Sequence, residues 1–276
     1  MKRLLNPVVG IIVRSKPGWY FTKLLIRFAE WLRFERSKYE HILSEQRLQK
    51  YFAEPVVRSG YFAGLKYTGF VSIGSALFPK LSGTYESELI AVFKNFEKTD
   101  YKQIIDVGCA EGYYAVGLAL KYSNALVYAF DIDTKAQEIC NEMAQANGVS
   151  GRVTVAGECT SAWIENTDAS VRKLLICDCE GFERYLFISS TIPALVNCDL
   201  IIELHPMHQP DVKEYLEALF KETHTVKFVT SYDDRRKMFD LDSSYAEMTL
   251  LDRARLVQEG RPFSMEWMIL SSKNKA

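Results

Sequence analysis

The chain has 276 residues, of which 48% are hydrophobic and 25% are charged. This composition is enough for a folded core and excludes a disordered chain. Lys and Arg total 34 and Asp and Glu total 35, so the net charge of −1 excludes a protein that holds nucleic acid through a strongly basic surface.

The first 40 residues are the most basic part of the chain. They carry nine Lys and Arg side chains and three Glu side chains, a net charge of +6. Apolar residues recur there at helical spacing and predict an amphipathic helix: Phe21, Leu24, Leu25, Phe28 and Leu32. Two interpretations stay open. The helix packs on its own domain or on a second subunit of a homo-oligomer, or it makes a peripheral contact with the cytoplasmic face of an anionic membrane.

Neither a secretion signal nor a membrane span is expected. The short apolar run from Pro7 to Val13 is interrupted at Gly10 and lacks a cleavage site of small residues. No stretch reaches the roughly 18 apolar residues that a span requires. The cysteines show no CxxC spacing, so we expect reduced thiols and a cytoplasmic location.

Residues 51–81 are rich in aromatic residues and glycine without a clear period, which predicts loops and short strands that form a lid. We therefore divide the chain into residues 1–80, an amphipathic helix and lid, and residues 81–276, a ligand-binding domain. A helix is expected to begin at Thr84 and to run to about Glu97. Tyr85 and Glu86 either form its first turn or lie over the ligand pocket.

From Lys102 onward, short apolar runs alternate with helical patterns. Seven runs predict strands at residues 103–107, 125–130, 152–156, 173–177, 200–204, 225–230 and 265–270. This alternation predicts an α/β fold with a doubly wound, mostly parallel seven-stranded sheet, preceded by an N-terminal helical and loop extension.

A turn of small residues follows the first strand of this sheet. Gly108, Ala110 and Gly112 are spaced 1, 3, 5, whereas the turn of nicotinamide-binding proteins is spaced 1, 3, 6. Asp106 precedes the turn, and its carboxylate opposes a pyrophosphate but attracts an ammonium or sulfonium group. The turn therefore favours a cationic ligand such as S-adenosyl-L-methionine.

Acidic residues follow the next two strands. Asp131, beside Ile132, can accept both hydroxyls of a ribose because a carboxylate has two acceptor oxygens. Glu158 can meet the amino group of an adenine. In this order after the glycine turn, these residues predict a nucleoside-binding site.

Four stretches resemble the ordered motifs of FkbM-type S-adenosylmethionine-dependent methyltransferases of class I: Asp106–Tyr114, Ala129–Asp133, Asp178-Cys-Glu-Gly-Phe-Glu183 and Glu203-Leu-His205. The chain departs from the family pattern at Cys109, Glu111 and Cys179. The resemblance implies a Rossmann-like fold, S-adenosyl-L-methionine as donor, and methyl transfer to a hydroxyl of a sugar or glycan intermediate. The residues expected to bind the donor are Asp106, Gly108, Cys109, Ala110, Gly112, Tyr113, Asp131, Ile132, Glu158, Asp178, Tyr85 and Glu86.

An aliphatic hydroxyl holds its proton tightly near pH 7, so a base within hydrogen-bond reach is expected. His205 or Asp178 is the predicted base, with Glu203 orienting His205 or Glu180 placing the sugar. In a rival version, Asp178, Glu203 and His205 ligate Mg²⁺ or Mn²⁺, which lowers the pKa of the bound hydroxyl. His205 can also be a structural histidine.

Two other functions remain as alternatives. One is a nicotinamide-dependent oxidoreductase or epimerase on the same kind of sheet, which the spacing of the glycine turn disfavours. The other is a non-catalytic scaffold that the basic N-terminal helix docks at a membrane.

Overall fold

The computed structural model describes residues 12, 14–261 and 263–274. Most of the apolar run from Pro7 to Val13, together with the basic residues Lys2 and Arg3, lies outside the described residues. The chain divides into two compact units, with the boundary between Tyr51 and Phe52.

The first unit contains one long helix, α1 (Lys16–Gln49), which forms the predicted amphipathic helix. Ser15 caps its start by accepting a hydrogen bond from the Gly18 N–H at 3.1 Å. Pro17 stands in the first turn, where a missing N–H costs nothing. Among the described residues, no helix combines the length and the apolar character needed to cross a membrane.

The second unit is built on a seven-stranded sheet with the order β3-β2-β1-β4-β5-β7-β6. Its strands are β1 (Gln103–Val107), β2 (Leu126–Phe130), β3 (Val153–Ala156), β4 (Lys173–Cys177), β5 (Cys198–Leu204), β6 (His224–Thr230) and β7 (Glu266–Ser272). The first five strands pair in parallel, and β7 runs antiparallel between β5 and β6. The predicted doubly wound, mostly parallel seven-stranded sheet is confirmed.

Short helices connect and cover these strands. They are α2 (Leu77–Ser82), α3 (Ile90–Phe96), α4 (Tyr113–Lys121), α5 (Thr134–Ala146), α6 (Ser161–Glu165), α7 (Glu183–Leu186), α8 (Ile192–Leu195), α9 (Val212–Phe220), α10 (Asp234–Lys237) and α11 (Leu250–Leu256). Three single 3₁₀ turns lie at Ser87–Leu89, Ser189–Thr191 and Ser243–Tyr245.

The central strands are buried along their whole length, as expected for parallel strands covered by helices on both faces. The register aligns the ends of the strands, because Val107 pairs with Phe130 on one side and with Cys177 on the other. Cys177 pairs in turn with Ile202. The segments that follow β1, β2, β4 and β5 therefore meet at one edge of the sheet.

Residues 52–80 belong to the same compact unit as the sheet, so the division falls at residue 51 rather than at residue 80. The reason is aromatic packing. Phe62 lies 5.0 Å from Tyr113 and 5.7 Å from Phe93, measured between ring centroids. The segment consists of turns, an isolated bridge between Val56 and Lys66, and α2.

The single helix expected from Thr84 to Glu97 is wrong. Thr84 caps no helix and instead shares a hydrogen bond with the Ser82 hydroxyl at 2.9 Å. Glu86 adopts a left-handed backbone conformation with φ of 47°, which interrupts any helix there. Helical structure begins only at the 3₁₀ turn Ser87–Leu89 and continues in α3.

Candidate functional site

The turn after β1 lies where the sheet reverses its winding, with β2 on one side and β4 on the other. Open α/β sheets bind ligands in the crevice at this point. Gly108 has φ of 82°, and a Cβ there would lie 1.7 Å from the carbonyl oxygen of Asp178. Only glycine fits, and the turn thereby comes into direct contact with the residue that follows β4.

Asp106 is buried beneath this turn. Burial raises the pKa of its carboxyl to about 7, against the lowering effect of a hydrogen bond from the Ala115 N–H. Its Oδ2 atom is buried and has no hydrogen-bond partner within the described chain. A buried carboxylate oxygen without a partner is costly, so the site suits a positively charged ligand group such as an ammonium.

Asp131, at the end of β2, is the other carboxylate of this crevice. Its Oδ2 accepts the Ala110 N–H at 2.8 Å, and its Oδ1 accepts the Asp133 N–H at 2.9 Å. Each oxygen keeps a second lone pair for a ligand hydroxyl. Ile132 beside it is 82% exposed and offers apolar surface to a ring. Glu158 is exposed beyond β3 and takes part in neither of these contacts.

The remaining residues expected at the turn shape it from within. Cys109 is buried, and Ala110 has φ of 46°. Gly112 immediately precedes α4 with φ of 100°. Tyr113 is buried, with its ring centroid 5.4 Å from that of Tyr85.

A buried ion pair that we did not foresee ties residues 72–80 to the turn. Glu111 Oε1 lies 2.6 Å from Lys80 Nζ, and both side chains are at least 97% buried. Glu111 also accepts the Ser72 hydroxyl at 2.8 Å and the Ile73 N–H at 2.9 Å. Burial alone would raise the pKa of Glu111, but Lys80 and these hydrogen bonds outweigh it and lower the pKa.

The second group of side chains surrounds His205, which follows β5. Its Nδ1 lies 2.6 Å from Glu183 Oε1. Its Nε2 lies 3.4 Å from Asp178 Oδ1, 3.6 Å from Glu180 Oε2 and 4.0 Å from Glu203 Oε2. The structure therefore brings together all four residues that the sequence nominated for catalysis.

The side chain that orients His205 is Glu183, at the start of α7, and not Glu203. Glu183 is fully buried and holds Nδ1, which leaves Nε2 directed at the other carboxylates. Burial lowers the pKa of His205, but the bond to Glu183 and the charges of Glu203 and Glu180 outweigh it. The pKa of His205 is raised as a result.

The Asp-Cys-Glu-Gly-Phe-Glu element owes its shape to two left-handed residues. Glu180 has φ of 52° and Gly181 has φ of 98°. A Cβ at Gly181 would lie 2.5 Å from the Cβ of His208, so glycine lets this loop approach the segment after β5. That approach places Glu183 under His205.

Asp178 and Glu203 have unusual protonation equilibria. Burial, together with the charge of Glu86, raises the pKa of Asp178 to about 7. Burial and the charge of Asp178 raise the pKa of Glu203 to about 8. One ligand atom each of Asp178, Glu203 and His205 lies within 4.8 Å of the other two, so these residues can hold a divalent cation.

Glu86 joins this cluster through Arg261, whose guanidinium binds three carboxylates. One nitrogen of the guanidinium contacts Glu86, a second lies 2.5 Å from Glu203 Oε1, and a third lies 2.8 Å from Glu259 Oε2. The Tyr114 hydroxyl donates to Glu86 as well. Half-buried Tyr85 lies next to these charges, so both residues singled out at 85 and 86 line the site.

Sequence reasoning missed Arg261, Glu259 and the Lys80–Glu111 pair. No local motif marks them, since they come from distant parts of the chain. Glu183 was visible in the Asp-x-Glu-Gly-Phe-Glu element, and its acidic character was the signal for a partner to His205.

The strand order, with β7 antiparallel, is that of the Rossmann-like class I methyltransferase fold. A family model covers part of this sheet. Residues 87–171 match the methyltransferase small domain. Together, the order and the match support a class I methyltransferase, and the methyl donor of that class is S-adenosyl-L-methionine. No curated protein matches the chain in sequence.

Solved structures with similar chains share little sequence with it. The MccD protein is 13% identical, with 68% of this chain and 97% of that chain covered and a TM-score of 0.44. An rRNA methylase from Streptococcus thermophilus is 16% identical, with 67% and 97% covered and a TM-score of 0.42. A methyltransferase from Thiobacillus denitrificans in complex with S-adenosyl-L-homocysteine is 15% identical, with 66% and 89% covered and a TM-score of 0.41. The absence of a nucleic-acid partner stays a prediction.

Proposed function

We propose that the protein is an FkbM-type, S-adenosyl-L-methionine-dependent O-methyltransferase that methylates a hydroxyl of a sugar or glycan intermediate. One observation carries the proposal. The glycine turn after β1 and the His205 cluster are in contact, because Gly108 packs on the backbone of Asp178. A donor held by the turn and a hydroxyl held by the cluster therefore share one crevice.

The residues around the turn fit the donor. Asp106 offers a buried oxygen without a partner to the ammonium group of its amino-acid part. Asp131 has free lone pairs for the two ribose hydroxyls, and Ile132 offers exposed apolar surface to the adenine. When bound, S-adenosyl-L-methionine supplies an activated methyl group on a positively charged sulfur.

His205 is the proposed base. Because Nδ1 is held by Glu183, Nε2 is the atom that accepts the hydroxyl proton, and the buried carboxylate of Glu183 stabilises the imidazolium that forms. Asp178 lies 3.4 Å from Nε2 and can position the same hydroxyl. Glu180, with 78% of its side chain exposed, is placed to bind further sugar hydroxyls.

A metal-assisted version of the same reaction has one observation in its favour. Asp178, Glu203 and His205 present their ligand atoms within 4.8 Å of one another, and Glu183 holds the other nitrogen of His205 as carboxylates hold metal-binding histidines. A bound Mg²⁺ or Mn²⁺ would lower the pKa of the acceptor hydroxyl.

The test uses purified protein, methyl-labelled S-adenosyl-L-methionine and glycan precursors extracted from cells that lack the gene. We expect label in the glycan fraction and a mass gain of one CH₂ group per methyl, resistant to mild base because the product is an ether. Label in RNA instead, or in no fraction while the donor still binds, contradicts the proposed acceptor.

A further inference from the structure

The broad apolar face of α1 has no role in the proposed methyl transfer. Six large side chains repeat along it at intervals of three and four residues, and each is between 46% and 64% exposed: Phe21, Leu24, Leu25, Phe28, Trp31 and Leu32. This spacing places them on one continuous side of the helix. A contiguous exposed apolar surface of this extent marks a site of interaction.

Basic residues border this face. Between Lys16 and Lys38 the helix carries six Lys and Arg side chains and two Glu side chains, a net charge of +4. At 100° per residue, Arg27 and Lys38 fall along one border of the apolar face and Arg36 along the other. A partner surface must therefore combine apolar depth with negative charge.

A second copy of the helix does not meet this requirement. Pairing two copies would bring a charge of +4 against an equal charge. The apolar sector also spans about 140°, which is wider than the seam of a two-stranded coiled coil. The aromatic residues on the face, Phe21, Phe28 and Trp31, are of the kind that concentrates at membrane interfaces.

We propose that α1 docks on a membrane surface rich in anionic lipids and lies in the plane of that surface. Its 34 residues give it a length of about 50 Å, and it does not have the apolar character of a spanning helix. The apolar face enters the boundary between headgroups and acyl chains, and the bordering Lys and Arg side chains bind lipid phosphates. This inference is independent of the proposed methyl transfer.

Flotation of the full chain with vesicles tests the proposal. We expect it to float with vesicles of phosphatidylglycerol and phosphatidylethanolamine, less so at high salt, and to remain at the bottom with phosphatidylcholine alone. The double variant Lys23→Gln/Arg27→Gln removes two charges and should weaken partitioning roughly 30-fold. Leu25→Glu should abolish flotation.

The matched control for Leu25→Glu is Leu126→Glu, since Leu25 is 50% exposed and Leu126 is 51% exposed at the start of β2. Circular dichroism of each variant checks that the helix content is retained. The proposal is overturned if the chain ignores anionic vesicles, or if both leucine variants lose flotation equally. It is also overturned if light scattering without lipid shows a dimer that Leu25→Glu breaks.

Discussion

Removing Lys80 isolates the energetic role of the buried pair beneath the glycine turn. Lys80→Met keeps the apolar stem of the side chain but leaves Glu111 buried without its ammonium partner at 2.6 Å. Breaking a buried pair by deleting one partner costs about 3–5 kcal/mol, because the remaining charge is desolvated and uncompensated. For a domain of this size that corresponds to a fall in Tm of about 6–20 °C.

The double variant Lys80→Met/Glu111→Leu removes both charges and should recover most of that loss. The surface pair Lys102–Asp100 supplies the control. Its atoms are also 2.6 Å apart, but more than half of each side chain is exposed. Lys102→Met should therefore cost less than about 1 kcal/mol. Urea unfolding followed by circular dichroism measures all three free energies.

The pH dependence separates charge from packing. In the wild type the pKa of Glu111 is lowered, so the pair contributes stability above the unfolded pKa of about 4.3, and this is lost as the pH falls through the folded value. In Lys80→Met, burial alone acts on Glu111 and raises its pKa, so the gap to wild type should narrow as the pH falls. A gap below about 1 kcal/mol at neutral pH, or one that widens in acid, refutes the reasoning.

Three further predictions concern the crevice. Asp131→Asn should weaken S-adenosyl-L-homocysteine binding about 10- to 100-fold by calorimetry, while Asp133→Asn, which can still cap α5, should not. Glu183→Gln should move the acidic limb of the kcat profile to lower pH, because the bond that raises the pKa of His205 weakens; an unmoved limb contradicts His205 as base. Chelation should leave turnover unchanged; loss restored by Mn²⁺ would establish the metal-assisted version instead.

The sheet was predictable because its strands are short apolar runs separated by helical patterns. The meeting of Asp178, Glu203 and His205 was predictable too, since the carboxyl ends of neighbouring parallel strands share one edge. The failure at Thr84 has a tertiary cause. Glu86 is held in a left-handed conformation by Arg261 and Tyr114, which local helix preference cannot reveal.

The Lys80–Glu111 pair and the three carboxylates on Arg261 were beyond sequence reasoning for a related reason. Their members lie from 2 to 175 positions apart, and each residue alone reads as an ordinary surface charge. Burial turns them into structural elements of the site, and burial depends on the complete fold.

The most direct test of the central claim is a calorimetric titration of the purified chain with S-adenosyl-L-methionine and, in parallel, with NAD. The account predicts saturable binding of the sulfonium nucleoside, because the carboxylates of Asp106 and Asp131 attract its ammonium and ribose groups, and no heat of binding from the dinucleotide. Binding of NAD in preference, or of neither ligand by a folded chain, would contradict it.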